Sequence, residues 1–456
     1  MTDTAEKTGL AEVLMLAAIP AATVHAVCVS FGILGAFPLK LYIAAALGFC
    51  LVSDIRSHAG PFLSKLRGWV SSLAAAELFA LGAGLFALFG ASVVNLNPGS
   101  KSLNEAGGFI LAVAGIGSCV RRVGNPRRFI VRVLAIAAAL SVIQCAVSAV
   151  YCRHEILSAM TGPVSTVEYI RASWKASFYY TNPNSFGFYM MAGGTAAWAL
   201  TLYFLFHASR LRFLLSLLAT GVCAFGILLS ASRASMLGFS AAVIFSLCLP
   251  VTAKKVFSAL RRRPVWSAVL LAAVIAGGAG IFHSYADIFS RKFDNGTLYR
   301  SAFWSQLLED PSRHGAIDVV TANRFSFWKG FLGQQMSSFP SADFFFGRGG
   351  VRPINPVDPG MELHNVYLET WGKYGLFCSA GLIVFLVLGV RGTVVRREFS
   401  FLAGASIAFM LHGCFEDKIF INSLQPQLLY LYMALLVPLC ARTPGDAGTG
   451  RKQVLS

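Results

Sequence analysis

The residues of this chain that are best suited to chemistry are one histidine and two arginines, which lie in polar segments between apolar stretches. His364 opens the segment His364–Gly375, which closes the longest hydrophilic interval of the sequence. A neutral imidazole can take a proton from an attacking hydroxyl, but a lone histidine can equally be structural. Arg233 lies in a small, hydroxyl-rich turn, and Arg324 opens an aromatic segment. A guanidinium presents fixed donors to phosphate oxygens, whereas at a membrane surface it can also simply extend its head into water.

The elements that must position these residues are membrane helices. Of the 456 residues, 56% are hydrophobic and 13% are charged, and the mean hydropathy is +0.64. A soluble globular protein of this composition would lack water-compatible surface. Because a span needs roughly 20 mostly apolar residues, hydropathy predicts about twelve spans. Their centres are near Met15, Ala45, Gly84, Ile116, Ala138, Gly194, Ala219, Val243, Ala273, Ile383, Ile407 and Met433.

Basic residues recur in alternate predicted loops and orient these spans. The clusters are Arg56/Lys65/Arg67, Arg121/Arg122/Arg127/Arg128, Arg210/Arg212, Lys254/Lys255/Arg261/Arg262/Arg263, Arg391/Arg396/Arg397 and Arg442/Arg451/Lys452. By the positive-inside rule these loops and both termini lie in the cytoplasm. The net charge of +17 is then explained by topology and by attraction to anionic membrane lipid. A nucleic-acid partner is disfavoured because the clusters are spread over many short loops.

Because successive spans cross the membrane in opposite directions, counting them from the cytoplasmic N-terminus places the histidine and both arginines on the outer face. The predicted fold class is all-α integral membrane, with about twelve transmembrane helices and a large helical outer loop. Residues 1–285 hold helices 1–9, residues 286–373 form the loop domain, residues 374–441 hold helices 10–12, and residues 442–456 form a cytoplasmic tail. The density of Phe and Trp in the loop favours a folded domain over a disordered linker.

Periodicity predicts local structure in this outer loop. Residues 321–330 are typical of an amphipathic helix with Phe325, Trp328 and Leu332 on one face. Residues 344–350 are predicted to break regular structure. On a helix, His364 would share one side with Leu368, Trp371 and Gly375, so that the imidazole would lie above an apolar strip.

Four motifs follow one another in a fixed order along the chain. They are Asn182-Pro183-Asn184-Ser185-Phe186, Ser232-Arg233-Ala234, Arg324-Phe325-Ser326-Phe327-Trp328, and His364-Asn365 followed after nine residues by Gly375. As an ordered set they resemble the O-antigen ligase and O-antigen polymerase family of bacterial membrane glycosyltransferases. The resemblance covers residues 182–381, and the N-terminal third is matched only by its hydropathy.

The resemblance implies the transfer of a glycan with inversion at its anomeric carbon, at the periplasmic face of the inner membrane. It implies neither a metal ion nor a cofactor for this reaction. The donor it implies is a glycan on undecaprenyl diphosphate. His364 matches the proposed base of the family, and Arg233 and Arg324 match arginines thought to hold the diphosphate. Should His364 be structural, His314 and His412 are the next candidates for the base. Further candidate contacts to donor or acceptor are Asn184, Asn365, Trp328 and Arg348.

Two questions about function stay open at this level. Ligases of the family join the glycan to lipid A core and polymerases join it to another lipid-linked unit, but both share these motifs. A polymerase of O-antigen or exopolysaccharide is favoured because one cell can carry several polymerases. The alternative from another class is a flippase or transporter of lipid-linked glycans, since Glu77 in the third span suits ion coupling. That acid can equally pair with an arginine of a neighbouring helix such as Arg132.

Overall fold

The computed structural model describes residues 2–30, 37–90, 92, 100–154, 183–207, 209–230, 232–262, 272, 324–348, 363–415 and 426–441. Regular structure within these residues is helical. The α-helices are α1 (Thr2–Ser30), α2 (Phe37–Arg56), α3 (Phe62–Ser71), α4 (Ala75–Phe89), α5 (Ser100–Arg122), α6 (Pro126–Tyr151), α7 (Pro183–Phe206), α8 (Arg210–Ser230), α9 (Arg233–Cys248), α10 (Pro250–Arg262), α11 (Arg324–Ser337), α12 (Ala342–Phe346), α13 (Val366–Val395), α14 (Ala403–Gly413) and α15 (Pro426–Cys440). A 3-10 helix, Arg397–Leu402, precedes α14.

The chain is a multi-pass membrane protein with an all-α fold, as the composition predicted. Within the described ranges, five helices are each long and apolar enough to cross a membrane, namely α5, α6, α7, α8 and α13. The number rises to seven if the bent pairs α3–α4 and α9–α10 each count as one span. The predicted span centres fall on described helices, except that the centre near Ala273 lies outside the described residues. The total of about twelve spans stays a prediction.

Helix α7 forms the centre of the bundle. It is buried on every side from Phe186 to Leu202, as expected for a helix that is apolar around its whole circumference. It packs against α6, α8, α9 and α14. With a rise of about 1.5 Å per residue, its 24 residues span about 36 Å. Its first and last turns therefore lie at opposite ends of the bundle.

The buried acid Glu77 joins three helices. Nη1 of Arg121, at the end of α5, donates to both carboxylate oxygens of Glu77 at 2.7 and 2.6 Å. Nε of the same guanidinium donates to Asp54 of α2 at 3.0 Å. The suggested pairing of Glu77 with Arg132 is wrong: α4 packs against α5, and Arg132 pairs instead with Glu12 at 2.6 Å.

Helix α13 is kinked at Gly375, where the end of α12 crosses it. Gly375 has a φ of 89° and Gly347, which follows α12, has a φ of 70°. A Cβ atom at Gly375 would collide with the carbonyl group of Phe345, and one at Gly347 with the backbone of Tyr374. Glycine is needed at both positions because it permits positive φ and backbone contact together.

Two local predictions for the outer loop are corrected by the packing. Residues 344–346 belong to α12, because the Ser341 side chain accepts the N–H of Phe344 and caps this short helix. On α11 the predicted apolar face is wrong, since Leu332 is 39% exposed. The face that α11 buries, in part against Leu363, carries Phe327, Phe331 and Gln335.

Candidate functional site

His364 lies immediately before α13 and not on it. Asn365 is the N-cap of this helix, and its Oδ1 accepts the backbone N–H groups of Tyr367 and Leu368, each at 3.1 Å. Asparagine is a preferred N-cap because it satisfies N–H groups that have no partner within the helix. The prediction of a helical His364 above an apolar strip is therefore wrong. The helix begins at Val366 and continues through the predicted domain boundary between residues 373 and 374.

The backbone of His364 is held in a left-handed conformation. Its φ is 49°, in a region where non-glycine residues are uncommon. The preceding residue, Leu363, is fixed from two sides: its N–H donates to Glu369 Oε1 at 3.4 Å, and its carbonyl accepts from Trp328 Nε1 at 2.8 Å. Conformations of this kind cost about 1–3 kcal/mol and persist where the surroundings impose them, often at functional sites.

Polar contacts tie the start of α13 to the end of α14. Nδ2 of Asn365 donates to the carbonyl of Cys414 at 3.2 Å. The hydroxyl of Tyr367 donates to the carbonyl of Met410, one turn earlier, at 2.8 Å. Because Asn365 caps one helix and bonds to the end of another, it sets the position of the adjacent His364 relative to α14.

Helix α11 is anchored on the same end of α14. Nη1 of Arg324, the first residue of α11, donates to the carbonyl of Phe415 at 2.6 Å. Trp328, one turn later, packs against the ring of Phe415 with centroids 5.9 Å apart. Since Trp328 also bonds to Leu363, one side chain joins the arginine helix to the histidine segment.

The turn that carries Arg233 reaches α14 through two serines. Arg233 is the first residue of α9, and Ser232 is its N-cap, whose side chain accepts the N–H of Ser235. The hydroxyls of Ser232 and Ser235 lie 3.0 Å apart. Ser235 Oγ in turn lies 3.3 Å from Nε2 of His412. The backbone of Arg233 is thereby linked to the last full turn of α14.

His412 is a buried positioning residue. Its relative exposure is 0%, and its ring stacks on Phe188 of α7 with centroids 4.4 Å apart. Sequence reasoning named it only as a substitute base, but a side chain without accessible surface does not touch an acceptor hydroxyl. The other substitute, His314, lies outside the described residues.

Three of the four motifs converge on the α14 terminus, which we define as residues His412–Phe415. Asn365 and Arg324 each bond to a residue of this terminus, and Ser235, which directly follows the Ser232-Arg233-Ala234 motif and bonds to Ser232, bonds to a third. The fourth motif opens α7, and its half-buried Asn184 lies one turn before the ring that stacks on the terminus. All four motifs are therefore at one end of the bundle.

Other charged groups lie beside α13. Arg348 pairs with Asp343 at 3.7 Å, and its backbone N–H donates to the carbonyl of Gly372 at 3.2 Å. Its described contacts thus belong to the crossing of α12 and α13. Glu369 and Lys373 form a buried ion pair at 3.2 Å, which sequence reasoning missed. The opposite charges at i, i+4 spacing are the signal that could have identified this pair.

Within the part of the chain that the structure describes, no group of three or more His, Cys, Asp or Glu side chains is placed to hold a metal ion. Comparison of the chain with protein-family models, curated proteins and solved structures found no match.

Proposed function

We propose that this protein is a metal-independent, inverting glycosyltransferase whose donor is a glycan on undecaprenyl diphosphate, acting in O-antigen or exopolysaccharide biosynthesis. The observation that carries the proposal is the convergence on the α14 terminus. The histidine segment, the Arg324 helix and the Arg233 turn are far apart in sequence, yet each bonds to this one helix end. Transfer from a diphosphate donor needs a base and groups that neutralise the leaving diphosphate, and these three segments supply one histidine and two arginines.

The proposed reaction displaces the diphosphate in one step. The acceptor hydroxyl attacks the anomeric carbon, the bond from that carbon to the diphosphate oxygen breaks, and the configuration inverts. The imidazole of His364 takes the proton of the hydroxyl. The diphosphate leaves with the bonding electron pair, and Arg233 and Arg324 stabilise its charge. The bond from Arg324 to Phe415 orients a guanidinium whose planar fork suits phosphate oxygens.

The histidine is tested with two substitutions that differ in backbone strain. His364→Ala and His364→Gly both remove the base and should lower the transfer rate by about 10² to 10⁴. At a φ of 49° glycine avoids the strain of an L-residue, so the glycine variant should be more stable than the alanine variant by about 1 kcal/mol. Loss of activity in the more stable variant would separate catalysis from folding.

The matched control for this pair is His58→Ala, in the segment between α2 and α3, which should transfer glycan at the wild-type rate. Transfer would be measured with purified protein in detergent and a polyprenyl-diphosphate donor. Full activity of either His364 variant at a normal protein level would remove this histidine from the mechanism.

The arginines are tested by Arg→Lys at positions 233 and 324. A lysine keeps the charge but cannot reproduce the planar fork, so each variant should lose about 10² or more in rate. Arg132→Lys, in the half-exposed pair with Glu12, is the control and should be fully active. EDTA should have little effect on the wild type. Near wild-type turnover in both lysine variants, or a clear metal requirement, would count against the proposal.

The accumulated products distinguish a polymerase, which we favour, from a ligase. In cells that carry His364→Ala, loss of long chains with single units still attached to lipid A core indicates a polymerase. Loss of all attachment, with long lipid-linked chains building up, indicates a ligase. A flippase or other transporter would leave the lipid-linked glycan covalently unchanged in the purified system. The pairing of Glu77 with Arg121 supports a structural role for the acid that motivated this alternative.

We also propose that the site faces the periplasm of a bacterial inner membrane. Reporter fusions after Arg263 and after Gly350 should give cytoplasmic and periplasmic signals, respectively, because basic loops are retained inside. The same compartment for both fusions would contradict the orientation and with it the access of periplasmic substrates to the site.

A further inference from the structure

A second cluster of chemically suited residues lies at the far end of α7 from the α14 terminus. The last turn of α7 presents Tyr203, Phe204 and Phe206, all half-buried, followed by His207. The rings of Tyr203 and His207 stack with centroids 4.1 Å apart. This aromatic group is a feature of the cytoplasmic end in the predicted topology, and the proposed transfer reaction does not use it.

Three cations from three different helices lie over these aromatic rings. The guanidinium of Arg127, from α6, is 5.2 Å from the ring centre of Tyr203. That of Arg212, from α8, is 5.8 Å from the ring of Phe204. The ammonium of Lys255, from α10, is 5.1 Å from the ring of Phe206. We define Arg127, Arg212 and Lys255 as the α7-end cations.

The imidazole of His207 does not neutralise this charge. Nη2 of Arg127 lies 2.6 Å from Nε2 of His207, and Nδ1 of His207 lies 2.7 Å from the carbonyl of Tyr203. The carbonyl can accept a hydrogen bond from the N–H at Nδ1 while the guanidinium donates one to Nε2, and an imidazole carries no negative charge in either tautomer. The bond orients Arg127 but leaves the net charge of the cluster unchanged.

No carboxylate in the described part of the chain balances the positive charge of the cluster. Among the described residues, none of the α7-end cations forms an ion pair with a carboxylate, and Arg127 and Lys255 are close enough to repel each other. Glu398 lies on the 3-10 helix that packs against α7 and α10, and it too makes no ion pair within the described residues. Arg127 and Arg212 also lie in the first turns of α6 and α8, where helix dipoles disfavour cations. Anions bound at this end of α7 would relieve the repulsion between Arg127 and Lys255 and offset the unfavourable helix dipoles at Arg127 and Arg212.

The surroundings indicate that this anion is carried by a lipid. Leu211, beside Arg212, and Phe257, two residues after Lys255, are each 68% exposed. Helix α10 turns away from α9 by 74°, as expected for an amphipathic helix that lies along a membrane surface. Exposed apolar residues next to cations and aromatic rings at a helix end are typical of the headgroup region. We infer that the α7-end cations bind the phosphates of anionic phospholipid headgroups around this end of the bundle.

The inference is tested with the full-length protein purified in detergent. Retained lipid would be identified by native mass spectrometry, and phosphatidylglycerol would be titrated into phosphatidylcholine-containing micelles of the protein. The triple variant R127Q/R212Q/K255Q should bind phosphatidylglycerol about 100-fold more weakly than the wild type, because the loss of each cation lowers the affinity about fivefold. The matched control, R56Q/K65Q/R67Q, removes as many cations from α2 and α3 and should retain phosphatidylglycerol in detergent like the wild type, because it leaves the α7-end cations in place. If the triple variant does not fold, the exposed single variant K255Q should lose about fivefold.

Two results would overturn the inference. One is equal loss of phosphatidylglycerol in the triple variant and its control, since the attraction would then be general surface charge. The other is displacement of the lipid by inorganic phosphate at millimolar concentration, since the ligand would then be a soluble phosphate. Both readouts are independent of glycosyl transfer, so they hold whether or not the proposed function is correct.

Discussion

Gly187 of α7 tests whether the Arg233 turn is held against the central helix. A Cβ atom at this position would lie 2.5 Å from Cβ of Ser232, 2.6 Å from Oγ of Ser230 and 2.9 Å from Oγ of Ser235. Carbon atoms in contact are normally about 3.5–4.0 Å apart, so Gly187→Ala should push the turn away by about 1 Å. The Cβ of Ser232 cannot rotate out of the way, which makes a backbone shift unavoidable.

The expected magnitudes follow from two opposing effects. Overpacking of a tight contact costs about 1–3 kcal/mol, while replacing glycine by alanine in a helix gains about 1 kcal/mol. Gly187→Ala should therefore lower the free energy of unfolding by about 1 kcal/mol on balance. A displacement of about 1 Å in a positioning element can reduce a rate by about 10², so transfer should fall by about that factor while the protein stays folded.

The assay pairs unfolding in mixed micelles with transfer from the diphosphate donor. Gly221→Ala is the matched control, because Gly221 lies in a helix and has nothing within 4 Å of the added Cβ. It should be as stable as the wild type or slightly more stable, and fully active. Wild-type stability and turnover in Gly187→Ala would refute the argument that this contact positions the turn.

Two contacts inside the bundle can be tested by the same unfolding measurement. Asn365→Ser keeps a helix cap but removes the donor to Cys414, and it should lower the free energy of unfolding by about 1 kcal/mol. Asn365→Ala removes both the cap and the donor and should lower it by about 2 kcal/mol. Equal losses for the two variants would mean that the cap contributes nothing. Glu77→Ala leaves the buried Arg121 with one carboxylate and should cost about 3 kcal/mol. Arg132→Ala, at a half-exposed pair, should cost less than about 1 kcal/mol, and similar losses in both would argue against the buried network.

Local features of the fold could be predicted where residues close together in the sequence determine the conformation, as at the start of a helix. The polar turn at Ser232–Arg233 can be predicted from the sequence because a serine before an apolar run is a helix start signal. Asn365 carries the same signal, and neglecting it led to the prediction of a helical His364. A cap requires only the side chain and the next few N–H groups, so the chain alone contains this information.

Predictions failed where the contacts of a side chain depend on which of several distant segments packs against it. On α11, aromatic residues occur on both faces, so periodicity does not identify the buried one; contact with Leu363 and Trp371 selects the face of Phe331. Glu77 has several arginines within reach by sequence, and the packing of α4 against α5 selects Arg121. These outcomes depend on the arrangement of helices that are many residues apart.

The sequence by itself determined that the chain is an all-helical membrane protein and which residues are chemically suited to a site. Composition is sufficient for the first, because apolar surface on this scale is stable only in lipid. Only the tertiary structure decided that Ser235, Asn365 and Arg324 share the α14 terminus and that three cations share the end of α7. Hydrogen bonds act over about 3 Å and contacts between cations and aromatic rings over about 6 Å, so both exist only after helix packing has brought distant segments together.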